Sequence, residues 1–196
     1  MSDYPEVARP LGATEKFTFS CHPGVRCFTE CCRCLELSLY PYDLLRLRKS
    51  LGISSQQFLD EYAVIEFSDE DLFPKVYLGM IDDGRDSCPF VEKSGCRVYE
   101  DRPAACRTYP LGRGAYYSEN QVQEIFVLLQ EPHCLGFSQS KEYTAMDWHD
   151  DQGIIPYTKY NDLFLPIFNS PYFNAGHRLS DEEATLFTLA LYNTDQ

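Results

Sequence analysis

The chain has 196 residues, 44% of them apolar and 24% charged, proportions that exclude wholesale disorder and allow a core that holds without cross-links. Its 17 basic and 30 acidic residues leave a formal charge of −13, which excludes a nucleic-acid backbone or an anionic membrane surface as partner. The longest uninterrupted apolar stretch, Ile125 to Leu129, is far short of the roughly 20 residues that span a bilayer.

In chain order, Met1 to Gly12 carries Asp3, Glu6, Arg9 and two prolines, with nothing like an apolar export signal. Five cysteines follow: Cys21, Cys27, Cys31, Cys32 and Cys34. Leu35-Glu36-Leu37-Ser38-Leu39 alternates strictly between apolar and polar, as a short half-buried strand does. Pro41 suits a first helical turn and Asp43 the positive helix start. Leu44, Leu47 and Leu51 then recur at helical spacing, Arg46, Arg48 and Lys49 fill the last turn, and Gly52 closes it. Ser54 with Gln57 is a capping-box pattern opening a second helix that turns Phe58 and Leu59 inward.

Val76 to Ile81 reads as a strand leading to a second group, Cys88, Cys96 and Cys106. Pro89 fixes a turn, Gly95 is free to take a positive φ ahead of Cys96, and a short helix opens at Pro103. After the polar turn Ser118-Glu119-Asn120, Val122 to Leu129 forms a strand that delivers His133 and Cys134. Thr144 with Asp147 caps a helix ending at Gly153, and the stripe Leu163, Phe164, Ile167 and Phe168 is broken at Pro166. Ser180 with Glu183 caps a last helix through Leu186, Phe187 and Leu189. The expected fold is α+β. Residues 17–137 form a small metal-centred domain of short strands and helices, 1–16 an N-terminal extension, and 138–196 a helical extension packed on the domain.

Nine cysteines call for a chemical reason. Without an export signal a reducing, cytoplasmic setting is expected, where clustered thiols bind metal more often than they pair, and an odd count leaves one thiol over in any full pairing. The spacings, Cys-x5-Cys-x3-Cys-Cys-x-Cys and Cys-x7-Cys-x9-Cys, contain neither the short knuckle of a zinc ribbon nor the ferredoxin run. The vicinal pair Cys31-Cys32 narrows the choice, because neighbouring side chains diverge in strand and helix alike. One sulfur to each of two centres, or both on a multi-iron cluster, is easier than both on one ion. Arg102 and Arg107 either offset thiolate charge or pair with Glu100 and Asp101. Cys34 reads equally well as a small apolar side chain. His22 and His133 each adjoin a cysteine and point away from it, which favours surface or hydrogen-bonding roles over ligation. His149 is assigned to a solvated acidic helix face, and His177 has no partner in the sequence.

The run Cys21-His22-Pro23-Gly24-Val25-Arg26-Cys27-Phe28 and the pair Cys31-Cys32 resemble the YkgJ-type cysteine-cluster proteins, zinc- or iron-chelating domains. So do Cys88-Pro89-Phe90-Val91, Gly95-Cys96-Arg97-Val98-Tyr99, Arg102-Pro103-x-x-Cys106-Arg107-x-Tyr109-Pro110 and His133-Cys134-x-Gly136. The resemblance covers about Phe17 to Phe137. It implies metal chelation through Cys21, Cys27, Cys31, Cys32, Cys88, Cys96, Cys106 and Cys134, with an iron–sulfur cluster, [4Fe–4S] first, or zinc as the cofactor. The first three spacings are longer than the compact family pattern, and Cys34 has no counterpart in it.

Three functional readings follow. The first is a metal-binding protein whose cysteines organise the domain. The second is a metal-containing modifying or redox enzyme, since related domains occur in flagellin lysine methylase proteins. The third is a protein-interaction module with structural zinc, to which the acidic surface and the aromatics of Tyr157 to Phe173 would bring a protein partner. No dinucleotide-binding glycine motif, P-loop, nucleophile elbow or zinc-protease helix is present in the sequence.

Overall fold

A computed structural model describes residues 7–68, 71–118 and 121–195. Its elements run β1 (Ala8–Leu11), β2 (Phe17–Thr18), α1 (Pro41–Leu51), α2 (Ser55–Tyr62), β3 (Ala63–Glu66), β4 (Lys75–Leu78), β5 (Val91–Glu92), β6 (Gly95–Cys96) and α3 (Ala104–Thr108). They continue with β7 (Leu111–Ser118), β8 (Gln121–Leu129), β9 (Glu142–Tyr143), α4 (Ala145–Gln152), α5 (Ile155–Asn161), α6 (Leu165–Phe168), α7 (Pro171–Asn174) and α8 (Asp181–Tyr192). The fold is α+β. All sheets are antiparallel: a three-stranded one in the order β1-β8-β7 and the pairs β2-β9, β3-β4 and β5-β6. Among the described residues no helix is long and apolar enough to cross a membrane.

Helix ends fall where the residues place them. Asp43 accepts from the Tyr40 N–H, closing the first turn of α1, and Gly52 ends the helix in the left-handed region at φ 69°. Ser54, Thr144 and Ser180 each accept from the third residue on, at the starts of α2, α4 and α8. Pro166 ends one short helical turn and opens α6.

One expected strand is corrected. Leu35 to Leu39 has the alternating burial, with Leu37 and Leu39 inside, yet forms only an isolated bridge, Ser38 to Tyr77, flanked by two backbone hydrogen bonds to β4. Its neighbour Cys34 sits at φ 51° and bends the chain out of any longer ladder. The expected turn at Ser118 falls partly on Glu119 and Asn120, outside the described residues.

Two apolar cores result. The first gathers Leu39, Leu44, Leu47, Phe58, Val76 and Phe90 around α1, with Cys88 and Cys96 packed against it. The second gathers Phe17, Phe19, Leu111, Leu128, Tyr143 and Trp148 behind the three-stranded sheet, with Tyr109 and Cys134 packed against it. Residues beyond 137 contribute to both. β9 pairs with β2, Phe187 stacks on Phe73 at 4.7 Å, and the buried Tyr192 hydroxyl donates to Leu39 O at 3.0 Å.

Candidate metal centre

All nine cysteines are free thiols; Cys88 and Cys96 pack against the first core and Cys134 against the second, so the seam between the cores is lined with sulfur. Cys21 follows β2, Cys27 to Cys32 lie on the loop and 3-10 turn after it, and Cys88 and Cys96 flank the β5-β6 hairpin. Cys106 rides on α3, and Cys134 follows β8. Local bonds hold these segments in place. Cys88 N donates to Cys32 O at 2.9 Å, joining the two knots. Leu135 N donates to the Cys27 sulfur at 3.1 Å, and Ser20 N donates to Gly136 O at 3.1 Å, so the Cys21 and Cys134 segments run side by side. Gly95, at φ 126°, makes the turn into Cys96.

The thiols act on one another's protonation, and this sorts them into two linked sets. Burial raises Cys21 to about 11, helped by the charges of Cys31, Cys27 and Cys134. Burial likewise raises Cys134, on which Cys27 and Cys31 also act. Cys106 is pushed well up by burial and then by Cys88, Cys96 and Cys31. The Cys88 thiol is raised by burial, with Cys96 adding to it. Cys31 and Cys32 share a hydrogen bond, which draws the first proton off Cys31 at about 7 and holds the second on Cys32, where Cys106 and Cys88 also act. Cys21 and Cys134 thus answer to Cys27 and Cys31, while Cys32 answers to Cys88 and Cys106 and Cys88 to Cys96; Cys31, which also acts on Cys32 and Cys106, links the two sets. Cys106 is exposed to solvent.

Among the described residues, no three His, Cys, Asp or Glu side chains are already closed on one point as an ion would hold them. The donor set nonetheless fits a thiophilic ion: eight unpaired sulfurs, N–H donors aimed at them, and cations close by. Burial raises Cys96, and the Val98 N–H, Arg102 and Arg97 pull against that rise, the two arginines supplying the positive charge that gathered thiolates need. Arg102 makes no ion pair with Asp101 or Glu100. It donates to Tyr99 O and Gln152 Oε1 and lies over the Tyr99 ring at 3.8 Å. Arg107 is a brace instead, its guanidinium donating to the backbone carbonyls of Arg102, Gln152 and Glu100.

Cys34 stands apart from both sets, exposed, with its sulfur 3.6 Å from Arg85 O. His22 Nδ1 accepts from Gly24 N at 3.1 Å, a turn contact. His133 is exposed and 3.7 Å from Glu131. The assignment of His149 to a solvated face is corrected: it is buried, edge-on to Phe126 at 5.2 Å. The reason is that α4 turns this side chain toward the sheet and its acidic neighbours away. His177 stacks on Tyr172 at 4.6 Å.

Two further contributors were not among the expected site residues. The Tyr109 hydroxyl is buried without a well-formed partner among the described residues; it lies against the Cys134 sulfur, whose proton it helps to release. Asp43, only 1% exposed, accepts from Tyr40 N and from Ala104 N, both at 2.8 Å, and so anchors α1 and the Cys106 helix on one carboxylate. Burial pushes that carboxyl up to about 6 from 3.8. The folded state then binds the proton more tightly than the unfolded chain, so the Asp43 contribution is full below about 4 and is lost as pH rises through about 6. Two pH units correspond to ~3 kcal/mol. Asp43→Asn is expected to remove this slope between about pH 4 and 6 in metal-free unfolding titrations; an unchanged slope would assign the titration elsewhere.

Residues 20–135, more than half of the chain, match the family described as "CxxCxxCC: Putative zinc- or iron-chelating domain". No curated protein and no solved structure matches the chain.

Proposed function

Because the chain belongs to the CxxCxxCC family of zinc- or iron-chelating domains, we propose that its eight matched cysteines bind the metal as two adjoining four-thiolate groups. Cys21, Cys27, Cys31 and Cys134 form one and Cys32, Cys88, Cys96 and Cys106 the other, the vicinal pair giving one sulfur to each. The observation that supports this reading is that Cys21 and Cys134 answer to Cys27 and Cys31 while Cys32 answers to Cys88 and Cys106 and Cys88 to Cys96, with Cys31 linking the two sets. Four thiolates satisfy a tetrahedral zinc and equally a [4Fe–4S] cluster. We place the iron–sulfur form first, because the spacings lack the short Cys-x2-Cys knuckle of structural zinc sites. Nine free thiols suit a reducing, cytoplasmic compartment. Bound across the seam, the metal would join the two apolar cores and add its binding free energy to the fold.

Anaerobic purification followed by visible absorption and analysis of iron, sulfide and zinc tests the reading. Colour with iron and sulfide is expected. A colourless protein with stoichiometric zinc removes the cluster form, and a folded metal-free protein removes chelation. Cys31→Ser and Cys32→Ser are each expected to lose about half of the metal, since each empties one group of four; complete loss in both would mean a single shared centre. Because burial keeps most of these sulfurs protonated at neutral pH, binding must expel protons. Apparent affinity should therefore rise with pH, and uptake in weak buffer should acidify the solution.

A further inference from the structure

A cavity of about 530 Å³ opens beside the first cysteine knot, and Cys31 is the one cluster cysteine in its wall. Glu30, Cys34, Glu131 and His133 share that wall, so most of its side chains are of types that ligate metals. Their exposures differ. His133, Glu30 and Glu131 are 47%, 43% and 38% exposed, Cys34 is exposed, and Cys31 is half-buried. Arg85, 55% exposed, reaches across from the second knot's loop and donates to both Glu30 carboxylate oxygens at 3.0 and 3.3 Å.

We infer that, in the zinc form of the centre, this cavity is the route by which the ion reaches and leaves it, with Cys34 and His133 as transient ligands and Cys31 as the first permanent one. The inference rests on the chelation reading and deepens it. It gives Cys34 a role that both groups of four leave open. A soft sulfur and an imidazole at the mouth hold a thiophilic cation between its carrier and Cys31, and passage is a series of ligand exchanges in which one bond forms as another breaks, with no redox step. Arg85 opposes this, because it is a fixed cation at the mouth and occupies the Glu30 carboxylate.

A residue on a route differs measurably from a ligand. It lowers the barrier from both sides, so its loss slows capture and release equally and leaves the dissociation constant unchanged. The test uses the full chain loaded with Zn²⁺ and follows uptake by the metal-free protein and transfer to a chromophoric chelator. Cys34→Ser with His133→Ala should slow both rates by about tenfold at unchanged stoichiometry and affinity. Cys34 is exposed, so serine leaves the fold intact. Arg85→Ala should speed both rates. Alkylating Cys34 in the loaded protein with a bulky reagent should slow release to the same extent as the double substitution. Unchanged rates, or a weakened affinity that marks these residues as ligands, would overturn the route while leaving chelation standing. A chain that binds no zinc or iron would end the parent reading, and this one with it.

Discussion

Arg107→Ala is expected to lower the unfolding free energy by about 3 kcal/mol or more, since each hydrogen bond from a charged donor contributes roughly 1.5–3 kcal/mol. The guanidinium is buried and spends its donors on three backbone carbonyls: Nε on Arg102 O at 3.1 Å, Nη1 on Gln152 O at 2.7 Å, and Nη2 on Glu100 O. Gln152 O lies at the C-terminus of α4, where carbonyls lack helical partners, and the other two belong to the turn that leads into α3. The plane of the group also covers the Tyr157 ring at 4.8 Å. One side chain thus ties α3, α4 and α5 together. Alanine would strip the donor from all three carbonyls, of which the Arg102 carbonyl is buried and the other two partly so.

Lysine is not a substitute. Its ammonium is a compact point charge on a flexible stem and cannot present the planar fork that reaches three carbonyls at once. Arg107→Lys is therefore expected to recover less than half of the loss in a denaturant titration. Metal content supplies the second readout, because Cys106 sits one residue before Arg107 and α3 has only five residues. Full stability in Arg107→Ala would show that these carbonyls find other donors.

The same turn shows what a sequence does and does not disclose. Pro41, Asp43 and Gly52 spell both ends of α1, because caps act within three or four residues. The second partner of Asp43, Ala104 N, lies 61 residues on, and nothing local announces it. The strand β7 stayed hidden behind Gly112 and Gly114, which disfavour strands. They sit there because a Cβ on either would press on Val127 or Ile125 across the ladder. β1 is four residues with a proline and an arginine, and only its pairing with Leu129 to Phe126 makes it a strand. The chemistry of the site was legible in residue type and in the vicinal pair. The proximity of the segments was not, since spacing along the chain does not say that the Leu135 N–H, next to Cys134, donates to the Cys27 sulfur.

Gly136→Ala is expected to be the most damaging single methyl addition to the molecule. A Cβ there would overlap Cε2 of Phe19 and stand 2.9 Å from its Cδ2 and Cζ, and the far side of that ring is already filled. Phe19 is 2% exposed and packs edge-on against Tyr109, Phe137 and Trp148 at 6.0, 5.2 and 5.4 Å. Overpacking a closed core costs about 1–3 kcal/mol and occasionally more. This site belongs at the upper end, because the ring has no free side to move toward. A loss of ~3 kcal/mol in a chain of this length lowers the melting temperature by roughly 6–12 °C.

The damage should also reach the sulfurs. Gly136 O receives Ser20 N, one residue from Cys21, and Gly136 itself is two residues from Cys134, so pushing the two segments apart moves Cys21 away from Cys134. If the ring is the obstacle, trimming it must help. Phe19→Leu alone destabilises by leaving space, whereas Phe19→Leu with Gly136→Ala should lose less than the sum of the two single substitutions. A coupling of about 1 kcal/mol or more in that cycle is the expected sign. Strict additivity would mean that the chain accommodates the methyl group by moving the loop around Gly136 and not against Phe19.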